Sequence, residues 1–93
     1  MSVKNYNIDK AVQVCKAIAN ENRLKVLYLI ADREMSVGEL MKEVSLSQSA
    51  LSQHLAVLRG YNIVKTRRNA QVIYYQLKSD KVKKILQLLA ELF

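Results

Sequence analysis

The amino-acid sequence predicts a mainly helical domain with one small β-hairpin close to its carboxyl end. Three observations support this fold class. Apolar residues recur at helical spacing over most of the chain. Proline is absent and there are only two glycines, so few residues interrupt the helices. Between positions 63 and 77, by contrast, β-branched and aromatic residues are frequent, which is typical of strands.

Two helices are predicted in the first third of the chain, over about 9–19 and 21–31. The apolar stripe of the first comprises Ile8, Ala11, Val12, Cys15, Ile18 and Ala19. Asn20 is placed to cap the second helix. Because that second helix is apolar on nearly all sides, we expect it at the centre of the core. One of its faces carries Leu24, Leu27, Tyr28 and Ala31.

A short helix over about 37–44 and a longer one over about 48–60 follow, joined by a tight turn. Ser36 and Glu39 have the spacing of a capping box at the start of the shorter helix. Its inward residues are Val37, Leu40, Met41 and Val44. Ser47 is placed to cap the longer helix. That helix is anchored by Leu51, Leu55 and Leu58.

Two strands and a last helix complete the predicted order. The strands cover 63–68 and 71–77, with a hairpin tip at 68–71. Ser79 caps a final helix over about 80–92. Its apolar stripe is Val82, Ile85, Leu86, Leu89, Leu92 and Phe93. The order α-α-α-α-β-β-α, with two helices joined by a short turn ahead of a hairpin, is that of a winged helix-turn-helix. We expect residues 1–93 to form one such domain.

The outward side of the helix over 48–60 has the composition that a DNA-reading helix needs. Its residues are short, amide-bearing or basic, and none is acidic: Ser47, Gln48, Ser49, Ser52, Gln53, His54 and Arg59. Acids would repel phosphates, and bulky apolar groups would hold the helix away from base edges. Gln48 and Gln53 suit base edges, most readily adenine, and the serines suit phosphates. A helix face that merely meets solvent has a similar composition.

The charge of the chain makes the DNA hypothesis more specific. The formal net charge is +7, which attracts polyanions, with nucleic acid first among them. Such a charge can also serve solubility alone. The predicted hairpin adds Lys65, Arg67 and Arg68, placed to reach a phosphate backbone or a minor groove. His54 is the only histidine, so it is expected to contact phosphate or a local partner and not a metal.

Several stretches resemble the ArsR/SmtB family of bacterial repressors. They are KAIANENRL at 16–24, SVGEL at 36–40, LSQSALSQHLAVL at 46–58 and VKTRR at 64–68, with YYQL at 74–77. The resemblance implies a winged-helix homodimer that binds an inverted repeat through the helix beginning at Ser47 and is released by an inducer. It also implies that the first and last helices form the dimer interface. The residues we place there are Ile8, Val12, Cys15, Val82, Ile85, Leu86, Leu89 and Phe93.

The positions at which family members bind metals carry other residues here. One kind of member uses a cysteine pair at the start of the third helix, where this chain has Ser36 and Gly38. Another uses aspartate and histidine on the last helix, where this chain has Asp80 and Val82. A hydroxyl group and a glycine cannot replace thiolates. We therefore expect no metal site and no cofactor.

Within the family, the chain is most similar to the HlyU/BigR-type branch, which can sense oxidised sulfur through two cysteines. Tyr28 stands at the first of these positions, and the second would fall past Phe93, so we expect that switch to be absent. Cys15 is the only cysteine, which excludes an internal disulfide and fits a reducing cytoplasm. Its place in an apolar stripe favours a packed, inert thiol over a reactive one.

The predicted function is that of a cytoplasmic, sequence-specific DNA-binding regulator, a repressor released by an unknown inducer. An anti-silencing activator or a protein-interaction module that competes with another DNA-bound protein is the alternative. An enzyme or a metallochaperone is less well supported, because there is no glycine-rich phosphate loop and no nucleophile paired with a base. No signal peptide is expected, and the longest apolar run, 26–31, is too short to cross a membrane.

Overall fold

The computed structural model describes residues 5–93 as five helices and three short strands. The elements are α1 (Ile8–Ile18), α2 (Glu21–Ile30), β1 (Met35–Ser36), α3 (Val37–Val44), α4 (Gln48–Gly60), β2 (Val64–Asn69), β3 (Val72–Leu77) and α5 (Asp80–Leu92). All predicted helices are confirmed, and their ends agree with the prediction to within a residue. None of the helices described is long and apolar enough to cross a membrane.

The sheet has one more strand than the sequence predicted. Its order is β1-β3-β2, and both pairings are antiparallel. The extra strand, β1, has only two residues, with Met35 paired to Tyr75. Two residues are too few to show the alternating pattern by which strands are recognised in a sequence. The hairpin tip is also tighter than predicted, because Asn69 pairs with Val72 and only positions 70 and 71 form the turn.

The core lies between the sheet and all five helices. It comprises Ala17, Ile18, Val26, Leu27, Ile30, Met35, Leu40, Val44, Leu51, Leu55, Leu58, Ile63, Val64, Tyr75, Val82 and Leu86. The central position predicted for α2 is confirmed by Val26, Leu27 and Ile30, all fully buried. Tyr28, which belongs to the apolar surface expected for α2, is 42% exposed. Its hydroxyl requires a polar partner and donates to the Leu86 carbonyl at 2.9 Å.

The turn between α3 and α4 is fixed by side-chain caps at the start of each helix. The Glu39 N–H donates to Ser36 Oγ at 3.1 Å, and the Ser36 N–H donates to the Glu39 carboxylate at 2.9 Å, which confirms the capping box. Ser45 then adopts a left-handed conformation that ends α3. The Ala50 N–H donates to Ser47 Oγ at 3.1 Å and begins α4. The start of α4 is thereby held at a defined angle to α3.

Replacing Ser36 with alanine is expected to lower the free energy of unfolding by about 1 kcal/mol, because one N-cap hydrogen bond is lost. Urea unfolding measures this change. The matched control is Ser49→Ala, because the Ser49 side chain makes no hydrogen bond within residues 5–93 and should leave stability nearly unchanged.

The Ser36 hydrogen bonds also lower the pKa of Glu39 below 4.5. The Glu39 contribution should therefore be present at neutral pH and be lost as pH falls through that lowered pKa.

Candidate nucleic-acid interface

The outward side of α4 is open, as the sequence predicted. Leu51, Leu55 and Leu58 fill the inward side and are at most 1% exposed. The candidate residues that lie exposed on the opposite side are Ser47, Gln48, Ser49, Ser52, Gln53 and Arg59. No acidic residue occupies the first turn of α4. This helix therefore presents a neutral to basic polar surface at which amide and hydroxyl groups are free to meet another molecule.

His54 differs from its neighbours because it is half-buried and contacts another helix. Its Nδ1 atom lies 3.4 Å from Nη1 of Arg23 on α2. Arg23 also donates from Nη2 to the Lys16 carbonyl at 3.0 Å and from Nε to the Ala17 carbonyl. One guanidinium group thus joins the end of α1 to α4. Arg23 lies in the family-like stretch at 16–24, but no local pattern in the sequence predicts a role for it.

The cations of the hairpin are divided between the two faces of the sheet. Directly paired residues of antiparallel strands share a face. Lys65 and Arg67 alternate with the buried Val64, so they lie on the outer face of the sheet. Arg68 lies on the other face, beyond the core, opposite Ile73. The three side chains predicted to contact DNA therefore cannot act as one cluster.

Arg67 is held by an acidic partner, Glu34, that the sequence did not predict. Its Nη2 lies 2.6 Å from a Glu34 carboxylate oxygen, and its Nε lies 3.1 Å from both oxygens. The guanidinium carbon also lies 4.5 Å from the centre of the Tyr74 ring. This hydrogen-bonded pair lowers the pKa of Glu34 and raises that of Arg67. Glu34 therefore offsets the Arg67 charge locally and competes with any phosphate for it.

Lys65 and Arg68 have no acidic partner among the residues described. The Arg68 Nε donates to the Ala70 carbonyl at 3.0 Å, which leaves its terminal nitrogens available. Ala70 itself has φ 56, a left-handed conformation that closes the tight tip. The hairpin thus offers two uncompensated cations, one on each face of the sheet.

A groove continues from the first turn of α4 to the hairpin tip. It is lined by Ser36, Val37, Gly38, Met41, Gln48, Gln71, Val72 and Ile73. A side chain added at Gly38 would meet only Ser36 Oγ, at 3.9 Å, so nothing in the described structure requires glycine there. No lining residue is charged. A long polyanion lying on α4 would meet neutral, partly apolar surface between α4 and the tip.

At the positions where family members bind metals, Ser36 and Asp80 have structural roles at helix starts. Ser36 is occupied as the cap of α3, and Asp80 lies in the first turn of α5, where an acid is favourable. Residues 5–93 contain no cluster of three or more histidine, cysteine, aspartate or glutamate side chains that could hold a metal ion.

Comparisons with known proteins identify the family. The model of the family described as "Bacterial regulatory protein, arsR family" matches residues 20–66. The transcriptional activator HlyU of Vibrio cholerae is 52% identical over 87 residues, which are 94% of this chain and 81% of HlyU. The chain belongs to the ArsR family. It is a DNA-binding transcriptional regulator, and its relatives are regulators and not enzymes.

Solved structures confirm the winged helix-turn-helix fold of this regulator. The transcriptional repressor BigR from Xylella fastidiosa matches with a TM-score of 0.88 at 34% identity, over 92% of this chain and 88% of BigR. A homodimeric winged helix-turn-helix DNA-binding domain from Mycobacterium bovis has the same fold, with a TM-score of 0.82 at 24% identity over 97% of this chain and 89% of that chain. In this fold α4 is the recognition helix and the β2–β3 hairpin is the wing.

Most of α1 in this regulator lies outside the core of the single chain. Only Ala17 and Ile18, in its last turn, are buried. Ile8 is 60% exposed and Val12 44% exposed, and their place in a dimer interface stays a prediction. Cys15 is exposed in the single chain, so the packed thiol that we expected is not part of the protomer's own core, and its place in the dimer interface stays a prediction. The part of its apolar stripe that precedes Ile18 is exposed on the protomer surface.

On α5 the predicted interface residues separate into two groups. Val82 and Leu86 are at most 2% exposed and belong to the protomer's own core. They are corrected from interface to core, because both side chains pack into the core of the single chain and are not available to a second copy. Ile85 and Leu89 are half-buried, and Phe93 is 98% exposed. For these three residues, contact with a second copy stays a prediction.

Proposed function

We propose that two copies of this regulator bind an inverted repeat in duplex DNA, with α4 of each copy in a major groove. The open, acid-free side of α4 is the observation that carries this proposal. In a two-fold dimer the recognition helices would meet successive major grooves about 34 Å apart. The net charge of +7 would bring such a dimer to DNA and favour its retention there.

The candidate residues divide by the contacts that their chemistry permits. Gln48 and Gln53 carry amides that pair with the donor and acceptor of an adenine edge. Ser49 and Ser52 are short enough to allow close approach of the helix to the bases. The other candidate residues surround these four and would contact phosphates: Ser47, His54, Arg59, Lys65, Arg67 and Arg68. Of these, Arg67 must first exchange Glu34 for a phosphate.

Dimerisation through α1 and α5 is part of the proposal. Ile8, Val12, Leu92 and Phe93 are exposed apolar side chains at the two ends of the chain. Large exposed apolar groups that cluster on one surface are typical of association sites. The Mycobacterium bovis domain of the same fold is described as homodimeric, which supports the same arrangement here. We propose that residues 1–93 act as one domain in this dimer.

Repression is the regulatory outcome that we propose, by occlusion of a promoter and with release by an inducer. The second candidate is anti-silencing activation, in which this protein displaces another DNA-bound protein. That candidate is favoured by the similarity to HlyU, which is described as a transcriptional activator. Reporter assays in bacterial strains with and without a nucleoid silencer separate the two, because only anti-silencing requires the silencer. Either role places the protein in the bacterial cytoplasm and needs no catalytic group or metal.

Selection from a pool of random DNA duplexes tests the DNA-binding proposal directly. We expect enrichment of an inverted repeat whose half-sites are separated by about one helical turn. The same duplexes should be protected over both half-sites in footprinting. Failure of the purified protein to retain any duplex at low ionic strength would contradict the proposal.

Replacing both Lys65 and Arg68 with alanine is expected to flatten the dependence of affinity on salt. Each lost phosphate contact should reduce the slope of log K against log salt by about 0.9. Arg67→Ala should reduce it less, because Glu34 already offsets that charge. Fluorescence anisotropy over a salt series measures all three slopes. An unchanged slope for the double variant would show that the wing does not contact phosphate.

A further inference from the structure

Arg23 joins three helices at a point close to the proposed DNA surface. Its Nε and Nη2 atoms donate to the Ala17 and Lys16 carbonyls in the last turn of α1. Those carbonyls belong to the helix end, where backbone acceptors have no partner within the helix. Its third nitrogen, Nη1, lies 3.4 Å from His54 Nδ1 on the recognition helix. The side chain is half-buried, so its direction is set by packing as well as by hydrogen bonds.

The chemistry of this contact determines the state of the His54 ring. An arginine side chain has donors but no acceptor, so Nδ1 of His54 must accept the hydrogen bond. In the neutral ring the proton is then on Nε2. A ring protonated on Nδ1 would place two N–H groups against each other. Nε2 itself has no hydrogen-bond partner within residues 5–93.

The position of His54 on α4 makes that Nε2–H group available to DNA. It lies between the exposed Gln53 and the buried Leu55, at the edge of the recognition surface. Side chains at the edge of a recognition helix are placed to meet the sugar–phosphate backbone, while central ones meet bases. A phosphate oxygen accepts hydrogen bonds only, so it requires a donor such as Nε2–H.

We propose that Arg23 is a positioning residue for DNA binding, which holds His54 as the Nε2–H tautomer so that the recognition helix presents a donor to a phosphate. This inference rests on the proposed DNA-binding function. Arg23 also fixes this donor relative to α1, because the same guanidinium group holds the only buried turn of that helix. A change in the position of α1 would therefore move Arg23 and, with it, the His54 donor that contacts the phosphate.

A double-mutant cycle on DNA affinity tests the functional part of the proposal. His54→Phe and Arg23→Met are each expected to weaken binding to the selected duplex about threefold to tenfold, the effect of one neutral hydrogen bond. The double variant should lose no more than either single variant, because Arg23 acts through His54. The salt slope should stay unchanged, since no cation that contacts phosphate is removed. Additive losses, or no loss with Arg23→Met, would overturn the proposal.

The matched control is Lys25→Ala, which removes an exposed cation from the same helix. Among residues 5–93, the ion-pair partner of Lys25 is Glu21, at 3.4 Å, so DNA affinity should change little. Circular dichroism and thermal unfolding establish that each variant is folded. If Arg23→Met does not fold, Arg23→Lys takes its place in the cycle. Its single ammonium group cannot reach His54 and both α1 carbonyls at once, and the same non-additive loss is expected.

Nitrogen-15 NMR tests the tautomer without DNA. His54 is the only histidine, so the ring signals need no assignment by mutation. In alkaline buffer we expect the proton on Nε2 and an Nδ1 signal shifted by hydrogen bonding. Loss of the Arg23 guanidinium should move that Nδ1 signal towards the position of free imidazole, whereas Lys25→Ala should not. A proton on Nδ1 in the wild-type protein would overturn the proposal. If the wild-type protein ignores duplex DNA, the proposed function fails, yet this measurement still decides the state of the ring.

Discussion

Replacing both Gln48 and Gln53 with alanine is expected to lower affinity for the selected inverted repeat by about 100-fold or more. Each side chain lies exposed on α4 and can form a two-point contact with a base edge. One such contact contributes about 1–3 kcal/mol of discrimination between bases. Affinity for random duplexes should fall by only about twofold, because phosphate contacts supply most of that binding. Competition anisotropy with specific and random duplexes measures both losses.

The matched control for this prediction is Gln87→Ala. Gln87 is an exposed glutamine on α5, outside the recognition helix. This variant should bind both classes of duplex as the wild-type protein does. Equal losses on specific and random DNA for the double glutamine variant would show that these amides contact the backbone and do not read bases. Thermal unfolding should be nearly unchanged, since neither amide has a hydrogen-bond partner in the part of the chain described.

The features predicted correctly from the sequence depend on residues that are close together along the chain. The stripes of α3 and α4 repeat every three or four positions, and that spacing indicates their buried faces. Capping residues such as Ser36, Ser47 and Ser79 lie three positions from the N–H groups that they satisfy, so the helix starts were also predictable. The open side of α4 could be predicted by setting aside its inward leucines, because they are the buried residues of this helix.

The features missed depend on residues far apart in the chain. Glu34 holds Arg67 across thirty-three positions, and Arg23 reaches His54 across thirty-one. Neither pair can be recognised from neighbouring residues in the sequence. The loop before β1 brings Glu34 to Arg67, and the packing of α2 against α4 brings Arg23 to His54. Cys15 was assigned to a packed environment because its stripe is apolar. Periodicity shows that a helix has an apolar face, but not whether its own chain or a second copy covers that face.

That ambiguity makes α1 the sharpest place to test the proposed assembly, and Val12→Glu is the variant with the largest expected effect. Val12 is 44% exposed on the stripe that we assign to the interface. A two-fold axis would bring two such carboxylates into the same apolar surface, where unpaired charges are costly. We expect a monomer in analytical ultracentrifugation. Affinity for the inverted repeat should fall by about 100-fold to 10,000-fold, because the second half-site no longer contributes.

Two controls separate loss of the dimer from loss of the fold or of DNA reading. Tyr61→Glu introduces the same charge at a side chain that is 41% exposed, just after α4, and should leave the dimer intact. An isolated half-site should bind the Val12→Glu protein about as well as it binds one wild-type protomer, because α4 is unaltered. If Val12→Glu remained dimeric, the interface would lie elsewhere. If it became monomeric but kept full affinity for the inverted repeat, each protomer would bind independently and the spacing of half-sites would carry no information.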